Sequence, residues 1–288
     1  MDATSSPQAL VAPRTARVRS ADGASCELLL VGRPQARVLL YWLPAMGVPA
    51  RTYLPLAEAL AARGIAVALH EWRGVGSSDR RASREVDWNY RTLLLDDLPA
   101  GTAAACEAWP GAATWLGGHS LGGQLACLHA GLHPATVRGL ALVASGAPYW
   151  RNFRLPWLIR AAYRAAPWLA ALCGHFPGRR IGFGGREARG VIADWARSGR
   201  SGRYAAEGLG DLEPAMAAYT GPVLALRLHD DWLGPAASLE WLLGKLPRAR
   251  VTRQVLDARD LHRRADHFGW MTAPAPVAER IAAWLPET

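Results

Sequence analysis

Apolar and polar positions along the chain follow two repeating patterns. Short continuous apolar runs are typical of buried strands, whereas longer stretches place apolar residues three and four positions apart, as one face of a helix requires. The predicted strands span 16–19, 26–31, 36–43, 65–70, 114–118, 137–144, 222–228 and 250–256. The predicted helices span 53–63, 89–109, 121–132, 236–246 and 276–285, with a break or kink expected near Pro99 and Gly101.

The order of these elements predicts an α/β fold. Strands that alternate with helices favour a mostly parallel sheet with helices on both faces. Near the N-terminus, Ala21-Asp22-Gly23 lies between two short runs and instead predicts a hairpin. Residues 1–13 are expected to form a loose tail.

One interval breaks the alternation of strands and helices. Residues 148–215 combine aromatic residues and many arginines in pieces with helical spacing. Because this interval is too long for an ordinary connection, we expect a helical cap inserted over the carboxyl edge of the sheet. Residues 1–147 and 216–288 then form the core of the α/β fold. The aromatic residues of the cap are Trp150, Phe153, Trp157, Tyr163, Trp168 and Trp195.

Length and composition fit one globular domain with an insertion. The chain has 288 residues, of which 50% are hydrophobic and 20% are charged. The net charge of +9 could indicate a nucleic-acid partner. However, the arginines are scattered, Lys245 is the only lysine, and no helix carries a continuous basic stripe with interleaved aromatics. We therefore expect a solvated basic surface and no nucleic-acid partner.

Cysteine and histidine spacing predicts neither disulfides nor a metal site. The four cysteines are widely spaced without a C-x-x-C pair, and three of them lie in apolar stretches, so we expect buried thiols in a reducing compartment. The histidines lack the regular spacing of metal ligands, and no cofactor is predicted. The N-terminus shows no secretory signal and no run of about 18 apolar residues occurs, which predicts a cytoplasmic protein without a membrane span.

The segment Ala113–Gly123 carries the most specific chemical pattern. An apolar strand leads into Gly118, Ser120 and Gly122 in Gly-x-Ser-x-Gly spacing, and a predicted helix follows. This is the pattern of a nucleophile elbow, in which a strained turn projects the serine and the glycines let strand and helix approach closely. The helix N-terminus would stabilise negative charge that develops beside the serine. A glycine-rich turn with a chance serine is the alternative at this point.

With three further segments, the chain resembles the α/β-hydrolase superfamily over almost its whole length. Pro44-Ala45-Met46-Gly47 follows the third strand, and Glu71-Trp72-Arg73-Gly74-Val75-Gly76-Ser77-Ser78 is similar to the family's D-x-R-G-x-G-x-S segment. The segments 230–235 and 267–270 resemble most closely a bacterial branch related to serine aminopeptidases and monoacylglycerol lipases. Two positions depart from the family: the usual His-Gly is absent before Met46, and Glu71 replaces an Asp that is generally structural.

The resemblance implies a catalytic triad in the chain order serine, acid, histidine. Ser120 is the candidate nucleophile. Asp230 and Asp231 both follow a predicted strand, and Asp231 is favoured because three residues separate it from Pro235, as is usual in the family. His267 is favoured over His262, which lies in a charged segment typical of an exposed surface.

The same resemblance places an oxyanion hole at two backbone N–H groups, those of Leu121 and Met46. The side chain of His119 should point away from Ser120 and be packed or hydrogen-bonded in the interior.

These residues predict a serine hydrolase of the carboxylesterase or lipase type. It would cleave an ester, thioester or small amide through an acyl-enzyme on Ser120. An acyltransferase with the same triad and a non-catalytic binding protein are the alternatives. The tryptophan-rich cap suggests an apolar acyl or aromatic substrate, although those tryptophans could equally form the core of the cap. The oligomeric state is not indicated.

Overall fold

A computed structural model describes residues 12–286. Its centre is an eight-stranded sheet in the order β1-β2-β4-β3-β5-β6-β7-β8. β1 and β2 form the predicted hairpin, β2 runs antiparallel to β4, and the other neighbours are parallel. The mostly parallel sheet is confirmed. The strands are β1 (Arg14–Arg19), β2 (Ser25–Val31), β3 (Val38–Leu43), β4 (Ile65–Leu69), β5 (Ala113–His119), β6 (Leu140–Val143), β7 (Pro222–Leu228) and β8 (Arg250–Leu256).

Helices cover both faces of the sheet. The longer ones are α1 (Leu54–Ala61), α2 (Leu98–Ala108), α3 (Leu121–Leu132), α4 (Pro156–Cys173), α5 (Arg189–Ser201), α6 (Glu213–Ala218), α7 (Ala236–Leu243) and α8 (Ala275–Trp284). Shorter helical pieces span Ala50–Tyr53, Tyr90–Thr92, Leu93–Asp97, Trp150–Asn152, Gly178–Ile181, Ala258–Leu261 and Gly269–Thr272. Two pairs of short strands, Phe176–Pro177 with Arg186–Glu187 and Ala205–Ala206 with Gly210–Asp211, lie in the interval predicted as the cap.

The central strand β3 shows why the sheet lies between two layers. All six of its residues are buried, and they alternate between two hydrophobic clusters. Leu39, Tyr41 and Leu43 pack with α2 and α3, whereas Leu40 and Trp42 pack with α1 and α8. A continuous apolar run is therefore what a strand buried on both faces requires.

Several predicted boundaries shift by a few residues, and two of the differences have an identifiable physical cause. β6 begins at Leu140 rather than at residue 137, because residues 133–136 form a turn in which the Thr136 N–H donates to the His133 carbonyl. The helix is not interrupted near Pro99, but it is irregular there: a π-helical turn over Leu93–Asp97 leads directly into α2, and Pro99, which has no N–H to donate, lies in the first turn of α2.

The prediction of buried thiols is wrong for two of the four cysteines. Cys127 is buried and Cys26 is half-buried, but Cys106 and Cys173 are exposed. Cys106 lies on the outer side of α2. Cys173 is the last residue of α4, a helix with an apolar stripe that faces outward, so apolar neighbours in the sequence do not imply burial there. All four cysteines are free.

Residues 148–215, here called the cap segment, connect β6 to β7. Their two long helices, α4 and α5, pack against each other. Pro167 lies inside α4 and cannot donate a hydrogen bond to the carbonyl of Tyr163. Arg200 of α5 supplies that donor, with its Nη1 2.8 Å from the Tyr163 oxygen, which ties the two helices together.

A buried ion cluster fixes the loop after β4 to the edge of the core. The Arg73 guanidinium is buried and pairs with Asp97 at 2.6 Å, and it also contacts Asp22 in the β1–β2 turn. Ser20 Oγ donates to the same Asp97 carboxylate at 2.6 Å. These contacts satisfy charges that would otherwise be costly to remove from water.

We predict that Arg73→Ala lowers the free energy of unfolding by about 3–5 kcal/mol, because it leaves Asp97 buried without its cation. Urea denaturation followed by circular dichroism measures the change. The matched control is Arg253→Ala, which removes an exposed pair with Glu240 and should cost less than about 1 kcal/mol. Equal losses in the two variants would contradict a special role for the buried cluster.

Candidate active site

Ser120 lies at the turn between β5 and α3, at the carboxyl edge of the sheet. Its backbone has φ 55° and ψ −118°, a conformation that a residue with a side chain rarely adopts. Its N–H donates to the Val143 carbonyl on β6, and its carbonyl accepts from Gly123 and Gln124 in the first turn of α3. The strained conformation is held from both sides, as expected at a functional turn.

Three glycines make this turn sterically feasible. A Cβ atom on Gly118 would overlap the backbone of Gly122 and Gly123, and one on Gly122 would overlap the Leu43 carbonyl at the end of β3. A Cβ on Gly123 would collide with the Ser145 hydroxyl. Helix α3 therefore rests directly on the ends of the central strands, which positions its N-terminus beside Ser120.

Asp231 and His267 form a buried pair at the same edge of the sheet. Asp231 Oδ2 lies 2.8 Å from His267 Nδ1, and both side chains are nearly inaccessible to solvent. Asp231 Oδ1 accepts from the N–H groups of Leu233 and Gly234, each at 2.9 Å. The carboxylate of Asp231 is thus hydrogen-bonded at both oxygens and fixes the orientation of the imidazole through Nδ1. The second ring nitrogen, Nε2, is not part of this pair.

The two competing candidates lie elsewhere. Asp230 is partly exposed, with Oδ1 2.9 Å from His229 Nδ1 and Oδ2 accepting from the Ala265 N–H. The hydrogen bond with His229 is the main cause that lowers the pKa of Asp230. His262 is exposed, in a left-handed conformation after the short helix 258–261. Neither residue lines the cavity described below.

Ser120 and His267 line one cavity, but the structure shows no hydrogen bond between their side chains. The geometry thus brings Asp231 to His267 and places His267 on the wall of the cavity that Ser120 also lines, without a hydrogen bond between Ser120 and His267. Such a contact is often long in the absence of substrate and tightens when substrate binds.

The loop after β3 is braced at two points. The Trp72 indole N–H donates to the Pro44 carbonyl at 2.8 Å, and the Ala45 N–H donates to the Tyr53 hydroxyl at 2.9 Å. The next N–H, that of Met46, makes no hydrogen bond to another described residue, and the same holds for the Leu121 N–H. Met46 and Leu121 both line the cavity with Ser120. Two unpartnered backbone donors therefore remain available beside the serine.

His119 and Tyr53 form a buried support beneath the elbow. His119 is fully buried, and its Nδ1 lies 2.8 Å from the Tyr53 hydroxyl that also accepts from the Ala45 N–H. Burial lowers the pKa of His119 well below its usual value, so the ring is neutral at pH 7. Its ring centroid is 4.8 Å from that of His267. His119 thus connects the elbow to the loop after β3. No sequence pattern identifies Tyr53 as the partner of His119, because the two residues are 66 positions apart in the chain.

Glu71, which replaces the usual Asp, serves the backbone. Its Oε1 accepts from the Ala50 N–H at 3.0 Å and its Oε2 from the Ser77 N–H at 3.2 Å. Glu71 therefore holds two loops near the start of α1 and does not line the cavity.

Glu187 is a buried carboxyl that the sequence analysis did not identify. Its Oε1 accepts a hydrogen bond from the Gly185 N–H at 2.7 Å. The neighbouring Gly184 lies close to Met46: a Cβ atom added to Gly184 would be 3.2 Å from the Met46 sulfur. Gly184 and Gly185 pack so closely on Gly47 that a Cβ atom added to Gly47 would overlap their backbone atoms. The cap segment therefore contacts the loop after β3 through backbone atoms, with Glu187 beside this contact. A single Glu in an arginine-rich segment gives no signal of such burial.

The cavity has a volume of about 490 Å³, and no Asp, Glu, Lys or Arg of the described residues lines it. Its polar groups are the side chains of Ser120, Gln124, Tyr163 and His267. Apolar residues from the cap segment form much of the remaining wall, including Phe153, Ile159, Ala162, Ala166, Leu169, Phe176 and Phe183. Among residues 12–286, no three His, Cys, Asp or Glu side chains are grouped so as to hold a metal ion.

Comparison with known proteins identifies the class. The chain is similar to a thioesterase domain from the curacin biosynthetic pathway, with 18% identity, a TM-score of 0.62 and coverage of 94% of this chain and 99% of that one. It is also similar to an esterase from Thermogutta terrifontis, with 15% identity, a TM-score of 0.60 and coverage of 94% and 97%. An esterase domain from Rhodothermus marinus gives 16% identity, a TM-score of 0.61 and coverage of 95% and 98%. At these identities the likeness shows the fold alone. The fold is that of the α/β-hydrolases.

The family follows from the sequence comparison. A family profile for the serine aminopeptidases of type S33 matches residues 34–259, so the chain belongs to that family and is a hydrolase. A search of curated proteins finds no matching relative. No helix among residues 12–286 is both long and apolar enough to cross a membrane.

The buried carboxyl of Glu187 predicts a pH-dependent stability. Burial raises the pKa of Glu187 from about 4.5 to about 7, because the charged form loses its hydration. A raised carboxyl pKa contributes stability that is fully present below the pKa of the unfolded chain and is lost as pH rises through the folded pKa.

We therefore predict that Glu187→Gln, which stays neutral and retains an acceptor for the Gly185 N–H, is more stable than wild type at pH 8 by about 2–3 kcal/mol. Near pH 4.5 the difference should vanish. Urea unfolding at both pH values measures it. The exposed Glu107→Gln variant is the control and should change stability by less than about 0.5 kcal/mol at either pH. A Glu187→Gln variant less stable at pH 8 would contradict the prediction.

Proposed function

We propose that the protein is a serine hydrolase that cleaves an ester, thioester or small amide of a neutral apolar acyl group. One observation supports this most strongly: a buried Asp231–His267 pair lies beside Ser120 in a strained elbow, at one end of an apolar cavity. A binding protein would not need a carboxylate with three hydrogen bonds to orient one imidazole, nor would it need a serine held at positive φ.

The proposed mechanism assigns each residue one task. Ser120 Oγ attacks the substrate carbonyl while His267 Nε2 takes the hydroxyl proton, and Asp231 stabilises the imidazolium through Nδ1. The N–H groups of Met46 and Leu121 donate to the oxyanion, supported by the N-terminus of α3.

His267 then returns the proton to the leaving oxygen, sulfur or nitrogen as its bond to the carbonyl carbon breaks. Water, deprotonated by the same imidazole as it attacks, adds to the acyl carbon; His267 then returns this proton to Ser120 Oγ as the bond between Oγ and the acyl carbon breaks, and the acid is released. The protein thereby splits one difficult displacement into two easier steps.

The wall of the cavity supports the choice of acyl group. No Asp, Glu, Lys or Arg among the described residues lines it, so a charged acyl chain would lose its hydration without gaining a counter-ion. Apolar side chains surround the space on several sides, and burial of each additional CH₂ there contributes about 0.8 kcal/mol. A neutral aliphatic or aromatic acyl group fits these conditions.

We predict that Ser120→Ala abolishes both p-nitrophenyl ester turnover and covalent labelling by a fluorophosphonate, because the attacking oxygen is removed. Ser145→Ala is the matched control, because Ser145 is a buried serine whose hydroxyl donates to backbone carbonyls near the elbow. It should retain labelling. Labelling that persists in Ser120→Ala would exclude Ser120 as the nucleophile.

The adjacent carboxylates provide an internal comparison. Asp231→Asn should lower kcat by about 10³- to 10⁴-fold, since it removes the charge that stabilises the imidazolium. Asp230→Asn should change kcat by less than about threefold, because that side chain bonds His229 at the surface. Steady-state kinetics on a p-nitrophenyl ester distinguish the two variants. A larger effect of Asp230→Asn would reverse the assignment of the acid.

A further inference from the structure

Helix α4 is apolar on two sides, and only one of them is covered. Ala162, Ala166 and Leu169 face the cavity. A second side, turned away from the buried Tyr163 and Ala170, carries large apolar residues that are strongly exposed: Trp157 by 67%, Trp168 by 75% and Leu172 by 69%. Trp157, Ala161, Ala165, Trp168 and Leu172 follow one another at intervals of three or four residues, so they form a single stripe about 20 Å long. We call this the outer stripe.

The chain around the outer stripe is strongly basic. Residues 148–186 contain seven arginines and no aspartate or glutamate. Arg154, Arg160 and Arg164 lie on or beside α4, and Arg179 and Arg180 are exposed on the next short helix. The Arg160 guanidinium lies 5.4 Å from the Trp157 ring, so positive charge and apolar surface meet at the edge of the stripe.

We propose that the outer stripe docks on the surface of an anionic phospholipid bilayer. A helix with tryptophan and leucine on one face and arginines at its margins is suited to lie in the plane of a membrane interface. The arginines would meet lipid phosphates and be attracted to a negatively charged leaflet. No helix spans the bilayer in this arrangement, in accord with the finding that none between residues 12 and 286 is both long and apolar enough to do so.

A second copy of the chain fits this surface less well. A two-fold interface on the outer stripe would bring the same arginine-rich segment against itself, without acidic residues between 148 and 186 to neutralise it. A lipid surface supplies the missing negative charge. The arrangement would also bring Ile181, which is 55% exposed and lines the cavity, toward the lipid.

The test measures binding rather than catalysis, so its result does not depend on the role of Ser120. The intact chain is mixed with vesicles of phosphatidylglycerol and phosphatidylcholine in equal parts, or of phosphatidylcholine alone, and bound protein is separated by flotation. We expect wild type to float with the anionic vesicles, to bind phosphatidylcholine alone at least about tenfold more weakly, and to dissociate as salt is raised.

Two variants separate the apolar and the electrostatic parts. Trp168→Ser with Leu172→Ser should weaken binding to anionic vesicles by at least about tenfold, through loss of buried apolar surface. Arg154→Glu with Arg164→Glu should weaken it by at least about tenfold as well. Arg248→Glu with Arg250→Glu makes the same change of charge at exposed positions on the amino edge of the sheet, and should alter binding by less than about twofold.

Three results would overturn the proposal. They are failure of wild type to float with anionic vesicles, equal losses in the Arg154/Arg164 and Arg248/Arg250 variants, and a wild-type dimer that becomes monomeric in Trp168→Ser with Leu172→Ser. For each variant without vesicles, thermal unfolding establishes whether the protein is folded, and sedimentation gives its mass and therefore its oligomeric state. If Trp168→Ser with Leu172→Ser does not fold, the two charge variants still decide between docking through the outer stripe and a general electrostatic attraction of the basic protein to anionic vesicles.

Discussion

The direct contact of helix α3 with the ends of β3 and β5 is the constraint on which the site depends. It exists only because Gly118, Gly122 and Gly123 carry no side chains. The contact forces Ser120 into a left-handed conformation and brings the first N–H of α3 beside its side chain. Displacing the helix by the width of one methyl group would move the Ser120 side chain and the first N–H of α3 together. The cavity and the paired Asp231 and His267 are arranged around this fixed point.

A second constraint couples the cap segment to the loop after β3. From the core side, Trp72 and Tyr53 hold the backbone of Pro44 and Ala45. From the cap side, Gly184 and Gly185 lie against Gly47 with no room for a Cβ atom between them. The free Met46 N–H is therefore positioned by both halves of the molecule. This bracing replaces the His-Gly pair that the loop lacks, since backbone packing rather than a histidine holds its shape.

The parts that could be predicted from the sequence are those with short-range or spacing signals. The elbow has its own local pattern, and the alternation of strands and helices predicts the parallel sheet. The spacing from Asp231 to Pro235 favours the residue that the structure places against His267. Tyr53 and Glu187 act through neighbours that are distant in the chain or that lie in irregular loops, so no periodicity identifies them.

The two exposed cysteines also show that a sequence pattern does not predict which surfaces the fold covers. A helical stripe predicts that one face is apolar, but not whether the protein itself covers that face. In α4 the pattern contains two such faces, and small residues occur on both. On the inner side, Ala162 and Ala166 leave space that becomes cavity, whereas larger residues there would fill it. On the outer side, Ala161 and Ala165 separate Trp157 from Trp168, with Ala165 also at the border of the cavity, and Cys173 ends the helix in solvent.

The choice of substrate therefore depends on side-chain volume in a segment whose sequence pattern shows only its amphipathic character. The turn that carries Ser120, the proposed nucleophile, depends on backbone contacts that leave no room for a Cβ atom, as the glycines at 118, 122 and 47 show. The inner face of α4 is held by apolar packing, which tolerates exchange of one aliphatic residue for another of different volume. Cavity size can thus vary while the elbow stays fixed. This physical separation explains why the pattern around Ser120 supports a proposal for the reaction type, whereas the proposal of a neutral, apolar acyl group rests on the three-dimensional wall of the cavity.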